Sequence, residues 1–344
     1  MNIKELQEKI SGTSEQNTKL FFITRVYKEN IRKSTKVMDK YLFKVYQVEV
    51  DSEIRKYLFD LSKEQLEFIV KKDFELIEYD VISDDTQHLF TYSMTNKALS
   101  FADVVNNQLN NKPPKITCFE EIISKEELWA YCIGFYDVEE EDWTYSFRKV
   151  LPSKVVIDEK DDTSNIKKFK FVRTLFDTKS QKLTLLKGET INLDKQIDCL
   201  YYNDTFYIIR KSYFEQIVGL EAEFKEKAEE VVAILEKCDK IVGMNVMKDE
   251  IEKNPSLHKK LVRISKIGNI NNLDEKAIKK MAKISKQYGE NFKIADGKIA
   301  IEDGRDIEQL LKLLADYYKI GEVSGKPYGT FAGKELKATV SEQK

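Results

Sequence analysis

The stretch "QIDCLYYNDTFYIIRKSYFEQIVG", residues 196–219, changes from strand periodicity to helix periodicity within one segment. Aromatic and β-branched residues on both sides of Asn203-Asp204 predict two strands joined by a tight turn. From Tyr213 onward the apolar residues recur at helical spacing. The sequence therefore predicts a β-structured part that leads directly into a helical part.

Upstream of this stretch, the pattern is mainly that of strands. Residues 168–210 predict a β-meander with turns at Gly188 and Asn203-Asp204. Further strands are predicted at 20–27, 41–50, 129–138 and 144–150, and the acidic run 137–143 is interpreted as a solvated turn. Helices are predicted from Ser62 with Gln65, from Ser124 with Glu127, and over 98–109.

Downstream, the pattern is mainly helical. Helices are predicted at 221–238, at 254–268 with Asn254 as cap and Gly268 beyond the end, at 272–289 with Asn272 as cap, and at 306–318. An Asp296-Gly297 turn predicts a short hairpin over 291–303. We therefore expect an α+β fold, with a mixed α/β N-terminal region at 1–125 and a β-meander followed by helices at 126–344.

Composition excludes several classes of protein. Charged residues make up 34% of the 344 residues but cancel to a net charge of −2, so any attraction for nucleic acid or anionic lipid must be local. No apolar run approaches the roughly 20 residues needed to span a bilayer, and the N-terminus lacks a signal-peptide pattern. Four widely spaced cysteines predict buried apolar residues rather than disulfides or zinc ligands.

Catalytic chemistry has little support in the sequence. The only histidines are His88 and His258, and for His258 we expect exposure at the start of a basic helix. No phosphate-binding glycine loop occurs, and the acidic runs at 83–85 and 158–162 are interpreted as surface charge. We therefore expect no enzyme activity, no cofactor and no metal.

The distribution of positive charge is more informative. The predicted helix at 272–289 carries five lysines on an arc of roughly 120°, opposite an apolar side. The helix before it carries four cations on one side. The nine residues are Lys259, Lys260, Arg263, Lys266, Lys276, Lys279, Lys280, Lys283 and Lys286.

The charge contrast between neighbouring segments leaves two interpretations open. Residues 256–287 contain nine cations and two acids, a net charge of +7, whereas 219–255 contain six lysines and ten acids, a net charge of −4. Several cations on the same exposed side of a helix suit binding to a phosphate backbone. A helix face that is only solvated would give the same pattern. The link between the two helices is too long for a helix-turn-helix turn, so base-specific readout is not indicated.

Three stretches resemble a known family. "TYSFRKVLPSKVV" (144–156), "TINLDKQIDCLYYNDTFYIIRKSYFEQIVG" (190–219) and "DIEQLLKLLADYYKIGEVSGKPYGTFAGKEL" (306–336) are similar to the B subunit (KwaB) of the Kiwa antiphage defence system. The resemblance covers roughly residues 126–340. It implies a cytoplasmic DNA-binding effector, homodimeric or larger, recruited peripherally to the inner membrane by the membrane-embedded A subunit (KwaA).

The resemblance also implies a basic patch at Arg148, Lys149, Lys154 and Lys334. Because Arg148 and Lys149 are adjacent on a predicted strand, their side chains should point to opposite faces. The glycine-spaced tail from Gly321 to Gly333 fits either a mobile contact loop or a docked arm. Together these features predict sequence-independent binding of double-stranded DNA. The alternative is a non-catalytic adaptor whose basic face binds an acidic protein or the membrane surface.

Overall fold

The computed structural model describes residues 1–27, 41–83, 88–95, 100–123, 125–150, 174–177, 182–185 and 196–331. Both helices and sheets are present in it, so the predicted α+β class is confirmed. The helices are α1 (Ile3–Gly12), α2 (Ser52–Val70), α3 (Phe119–Ile123), α4 (Lys211–Val218), α5 (Leu220–Lys237), α6 (Met244–Lys253), α7 (Ser256–Ile267), α8 (Glu275–Gln287) and α9 (Gly304–Leu314).

An eight-stranded sheet organises the molecule, in the order β2-β1-β5-β6-β9-β10-β4-β3. Its neighbouring strands are antiparallel except for β3 and β4, which are parallel. The strands of this sheet are β1 (Thr18–Tyr27), β2 (Tyr41–Val48), β3 (Glu75–Glu78), β4 (His88–Ser93), β5 (Glu127–Asp137), β6 (Asp142–Lys149), β9 (Cys199–Tyr202) and β10 (Thr205–Ile208). A separate hairpin contains β7 (Thr174–Asp177) and β8 (Lys182–Leu185).

Side chains are buried on both faces of this sheet, which explains the long apolar run of β5. Tyr131, Ile133 and Phe135 pack with α1 and α2 on one face. Cys132 lies on the other face, in a core built around Phe147. Because successive side chains alternate between the two faces, a central strand covered on both sides must be apolar at nearly every position.

Helical segments cover the second face. The segment after β4 contains a π-helical turn (Val104–Gln108), and α4 and the start of α5 complete the layer. Phe147, Phe206 and Phe214 pack together there, with Phe206 and Phe214 at a ring separation of 5.3 Å. The indole Nε1 of Trp129 on β5 donates to the carbonyl of Ile217 on α4 at 3.1 Å, which fixes this helix against the sheet.

The C-terminal helices form a second core with a small sheet. Residues from α5 to α9 pack around β11 (Ile241–Val242) and β13 (Lys298–Ala300). The exposed strand β12 (Ile294–Ala295) pairs with β13 at the edge of this sheet. The predicted Asp296-Gly297 turn is confirmed, since both residues have positive φ, 50° and 76°. Gly243 has φ +89°, and a Cβ there would lie 2.0 Å from the Ile301 carbonyl oxygen, so this position requires glycine.

The final described element is a hairpin of β14 (Tyr318–Ile320) and β15 (Pro327–Gly329). Tyr318 stacks on Tyr288, just beyond α8, with a ring separation of 4.8 Å. Phe331 packs on the C-terminal core and contacts the Tyr317 ring. Phe331 anchors the tail to this core, whereas residues 322–330 are exposed, and Gly333 lies outside the described residues.

Several predicted boundaries differ from the structure. The sheet crosses the boundary predicted at residue 125, because β1 pairs with β5 over Thr18–Arg25. Ser62 is not a cap: α2 begins at Ser52 after the cap Asp51, and the buried Ser62 hydroxyl donates to the Leu58 carbonyl. The helix predicted from Ser124 is also wrong, since Glu127 opens β5. Of the predicted meander, β9 and β10 belong to the main sheet, while 168–173, 178–181 and 186–195 lie outside the described residues.

The starts of the two basic helices also needed correction. α8 is capped by Asp274, whose carboxylate accepts from the Ala277 amide at 2.7 Å, rather than by Asn272, which ends a 3₁₀ turn. α7 starts at Ser256, one residue after Pro255. Its predicted end is confirmed by Gly268, which has φ +81°.

Two local predictions about burial were wrong. His258 is buried, 7% exposed, and its Nε2 lies 3.0 Å from the Ile251 carbonyl oxygen. Burial lowers its pKa. Cys132 and Cys199 are buried as expected, but Cys118 is exposed and Cys238 is half-buried.

Candidate nucleic-acid interface

The α8 stripe consists of five exposed lysines along one side of α8: Lys276, Lys279, Lys280, Lys283 and Lys286. On the opposite side, Ile278 and Ser285 are buried in the C-terminal core, and Ser285 accepts from the Gln309 amide at 2.6 Å. This packing fixes the rotation of the helix about its axis. The lysines are therefore held toward solvent by the burial of the other face.

Within the described parts of the chain, no carboxylate forms an ion pair with any lysine of the α8 stripe. From Lys276 to Lys286 the stripe extends about 15 Å at 1.5 Å per residue. A duplex presents roughly four phosphates of one strand over that length. The stripe thus matches a strand backbone in both length and charge density.

The cations of α7 are in a different situation, because they contact the protein itself. Lys259 donates to both carboxylate oxygens of Glu215 on α4, at 2.8 and 2.6 Å. Glu215 is buried and also accepts from the Tyr79 hydroxyl at 2.8 Å. Lys266 forms an ion pair with Asp80 at 2.9 Å.

The loop after β3 is the second target of these cations. Arg263 donates to the Ile82 carbonyl at 3.4 Å. Lys211 of α4 is buried and donates to the carbonyls of Asp80 and Ser83, at 2.5 and 2.6 Å. Burial lowers the pKa of Lys211 to about 8. We call Lys211, Lys259, Arg263 and Lys266, with their acceptors Glu215 and residues 80–83, the α7 clamp.

Lys260 completes the set on α7. It forms an ion pair with Glu308 of α9 at 2.6 Å, and both side chains remain partly exposed. Each of the four cations predicted on α7 therefore has a partner in the protein: a carboxylate for the three lysines and a backbone carbonyl for Arg263. The two basic helices look alike in sequence, but the cations of α7 have partners within the protein, whereas the lysines of the α8 stripe have no acidic partner in the described chain.

The predicted strand patch is buried. Arg148 is 7% exposed and donates to both oxygens of Asp198, which is fully buried, at 3.0 and 3.1 Å. Lys149 is 5% exposed, donates to the carbonyls of Trp129 and Val150, and lies 3.6 Å from the Trp129 ring centroid. Burial lowers its pKa to about 8.

The two residues of this patch cannot present charge to a phosphate from the positions they occupy, so the interpretation of Arg148 and Lys149 as contacts is corrected. Burial inside the sheet layer overrides the strand alternation that predicted exposure of one of them. Lys154 and Lys334 lie outside the described residues.

The acceptors of the α7 clamp could not be recognised from the sequence. Lys266 and Asp80 are separated by 186 positions and Lys259 and Glu215 by 44, so no local pattern links them. The nearest available signal was the helical spacing of the cations, which does not distinguish a neutralised face from an exposed one.

Neither a cluster of metal ligands nor a membrane-spanning helix occurs in the described ranges. In the described ranges, no cluster of three or more His, Cys, Asp or Glu side chains is arranged as metal ligands. None of the described helices has the length and apolarity needed to cross a membrane. The acidic run at 158–162 lies outside those ranges.

Comparison with known protein families identifies the family of the chain. A model of the family described as Kiwa protein KwaB-like matches residues 125–324, more than half of the 344-residue chain. The matched segment runs from the start of β5 to the β14–β15 hairpin and includes both basic helices. No curated protein and no solved structure matches the chain.

Proposed function

The chain belongs to the KwaB-like family of Kiwa proteins, and from this premise we propose that it binds double-stranded DNA through the α8 stripe without reading base sequence. Membership implies a role in Kiwa antiphage defence. The observation that supports DNA binding is the α8 stripe itself, five exposed lysines on one face without an acidic partner in the described chain. Lysines act as point charges on phosphates, so this face recognises the backbone and not the bases.

Electrostatics also argues for a local interface. The chain as a whole has a net charge of −2, so its general surface does not attract DNA. Binding must then be concentrated where exposed cations are uncompensated. Each phosphate contact releases condensed counterions, and log affinity should fall with log salt at about −0.9 per contact.

The first test removes three charges from the α8 stripe. Lys279→Gln, Lys280→Gln and Lys283→Gln together keep helix propensity and leave the apolar face untouched. Affinity should fall equally for unrelated duplexes, and the salt slope should flatten by up to about three units. Fluorescence anisotropy of labelled duplexes across a salt series gives both quantities.

A matched control is available on other helices. Lys56→Gln, Lys71→Gln and Lys253→Gln remove the same charge from exposed positions on and beside α2 and α6. This control variant should keep the wild-type salt slope. The adaptor alternative would be supported if the α8 variant kept the wild-type salt slope for DNA but no longer bound an acidic protein or anionic vesicles.

We further propose that the protein acts with the membrane-embedded A subunit (KwaA), which recruits it from the cytoplasm to the inner membrane, and that it is a homodimer or larger homo-oligomer. Recovery in the membrane fraction should then require the A subunit. Recovery of the isolated chain with membranes in high salt would contradict recruitment.

Binding without catalysis completes the proposal. Supercoiled and linear DNA incubated with the protein and magnesium or manganese should remain intact. Nicking that survives purification and disappears on mutation of one acidic residue would overturn this part.

A further inference from the structure

The outer side of α2 exposes an apolar stripe. Ile54, Tyr57 and Phe68 are 42%, 56% and 55% exposed, and Leu61 between them is half-buried. Their spacing of three, four and seven places them within roughly 60° around the helix axis. This α2 stripe adjoins the buried side of α2, where Leu58, Leu66 and Ile69 pack on the sheet. It therefore has the form of a seam for a second helix.

A row of carboxylates borders the α2 stripe on its solvent side. Glu53, Asp60, Glu64 and Glu67 are all exposed, and no ion pair joins any of them to the described part of the chain. On the helix wheel they occupy an arc of roughly 60° directly beside Tyr57. Lys56 and Lys63 lie beyond this row, on the side away from the α2 stripe. Lys71 and Lys72 lie at the C-terminal end, where the Lys72 ammonium is 4.5 Å from the Phe68 ring centroid.

We propose that α2 docks an amphipathic helix of a partner protein, with apolar residues on the α2 stripe and lysines or arginines against the carboxylate row. Charge complementarity identifies the chemistry of the occupant, because an apolar seam alone would accept helices of any charge. This surface lies outside residues 125–324, which carry the family match and the α8 stripe. The inference is therefore independent of DNA binding.

Other occupants fit less well. Two copies of α2 packed antiparallel about a two-fold axis would bring the same acidic edge of each copy together. The basic helix α8 of a second copy cannot supply the apolar side, since its Ile278 is buried in its own core. An anionic membrane surface would be repelled by the carboxylate row.

The probe is a fluorescent amphipathic peptide of about 18 residues, made of leucine and lysine, which matches the 19-residue length of α2. The full-length wild-type protein should bind it at about 0.15 M salt. Tyr57→Ser with Phe68→Ser keeps every charge and should weaken binding at least about tenfold, because buried aromatic anchors dominate such interfaces. Glu64→Gln with Glu67→Gln should weaken binding about threefold and reduce its salt dependence.

Matched controls separate docking from general attraction. Peptides with serine for leucine, or glutamate for lysine, should not bind. Lys237→Gln with Lys253→Gln, at exposed positions on α5 and α6, should leave affinity unchanged. All substituted positions are exposed, and thermal melts should confirm folding. No binding by the wild type, or equal binding by wild type and the Tyr57→Ser, Phe68→Ser variant, would overturn the proposal. The proposal would also be overturned if the wild type associated with itself or bound anionic vesicles and the Tyr57→Ser, Phe68→Ser variant did not.

Discussion

α7 and α8 follow one another in the chain and both carry lysines along one side, yet those lysines have different surroundings. In α7, Lys259 donates to Glu215, Arg263 to the Ile82 carbonyl and Lys266 to Asp80. In α8, the lysines of the stripe face solvent without an acidic partner in the described chain. Positive charge that already has an acceptor contributes to the fold, whereas uncompensated charge is available to a ligand.

The clearest way to test this difference is to remove the buried acceptor of the α7 clamp. Glu215→Ala should reduce the free energy of unfolding by about 3 kcal/mol, because it leaves the Tyr79 hydroxyl and the Lys259 ammonium without their acceptor. The exposed Glu275→Ala on α8 should change it by less than about 0.5 kcal/mol. Urea unfolding compares the two, and equal effects would contradict the distinction between the helices.

The buried lysine of the α7 clamp predicts a pH dependence. The pKa of Lys211 is lowered from 10.5 to about 8 by burial. Between those values the unfolded chain binds more protons than the folded one, so the contribution of Lys211 to stability increases with pH. The stability difference between wild type and Lys211→Met should rise by up to about 1.4 kcal/mol per pH unit above pH 8.

Lys211 is surrounded by the charged groups Asp80, Glu215, Lys259 and Arg263. Elsewhere, burial raises the pKa of the Cys132 and Cys199 thiols. Comparison of the two proteins at each pH cancels the contributions that they share. A difference that stays constant from pH 8 to pH 10 would show that Lys211 titrates normally in the folded protein.

A smaller effect concerns how α8 begins. Asp274→Ala removes the cap that accepts from the Ala277 amide and should cost about 1 kcal/mol of stability. Asn272→Ala should cost nothing comparable, because Asp274 occupies the cap position. If Asn272→Ala were the more destabilising change, the boundary of α8 would be the one that sequence spacing predicts.

The smallest expected effect is on DNA binding by α7. Lys260→Gln with Lys266→Gln should change the salt slope by less than about one unit, since both ammonium groups already have carboxylate partners. Measurement beside the α8 triple variant uses the same duplexes and salt series. A loss of slope equal to that of the α8 variant would mean that α7 exchanges its internal partners for phosphates.

The sequence by itself determined those features that depend on neighbours along the chain. The strand-to-helix change at 196–219, the Asp296-Gly297 turn, the end of α7 at Gly268 and the amphipathic character of α8 all follow from local periodicity and turn chemistry. These rules concern residues within a few positions of one another. For the same reason they misplaced the start of α2, where an exposed and a buried apolar side adjoin on one helix and Ser62 is an interior residue.

Tertiary structure decided which charges are exposed. Arg148 and Lys149 belong to a strand buried on both faces, and the α7 cations meet acceptors 44 to 186 positions away. The same holds for α2, whose apolar stripe is recognisable only once Leu58 and Leu66 are seen to occupy the core instead. Sequence fixes the charge and spacing of a helix face, but the burial of its other side and the partners brought by distant segments fix whether that face is available.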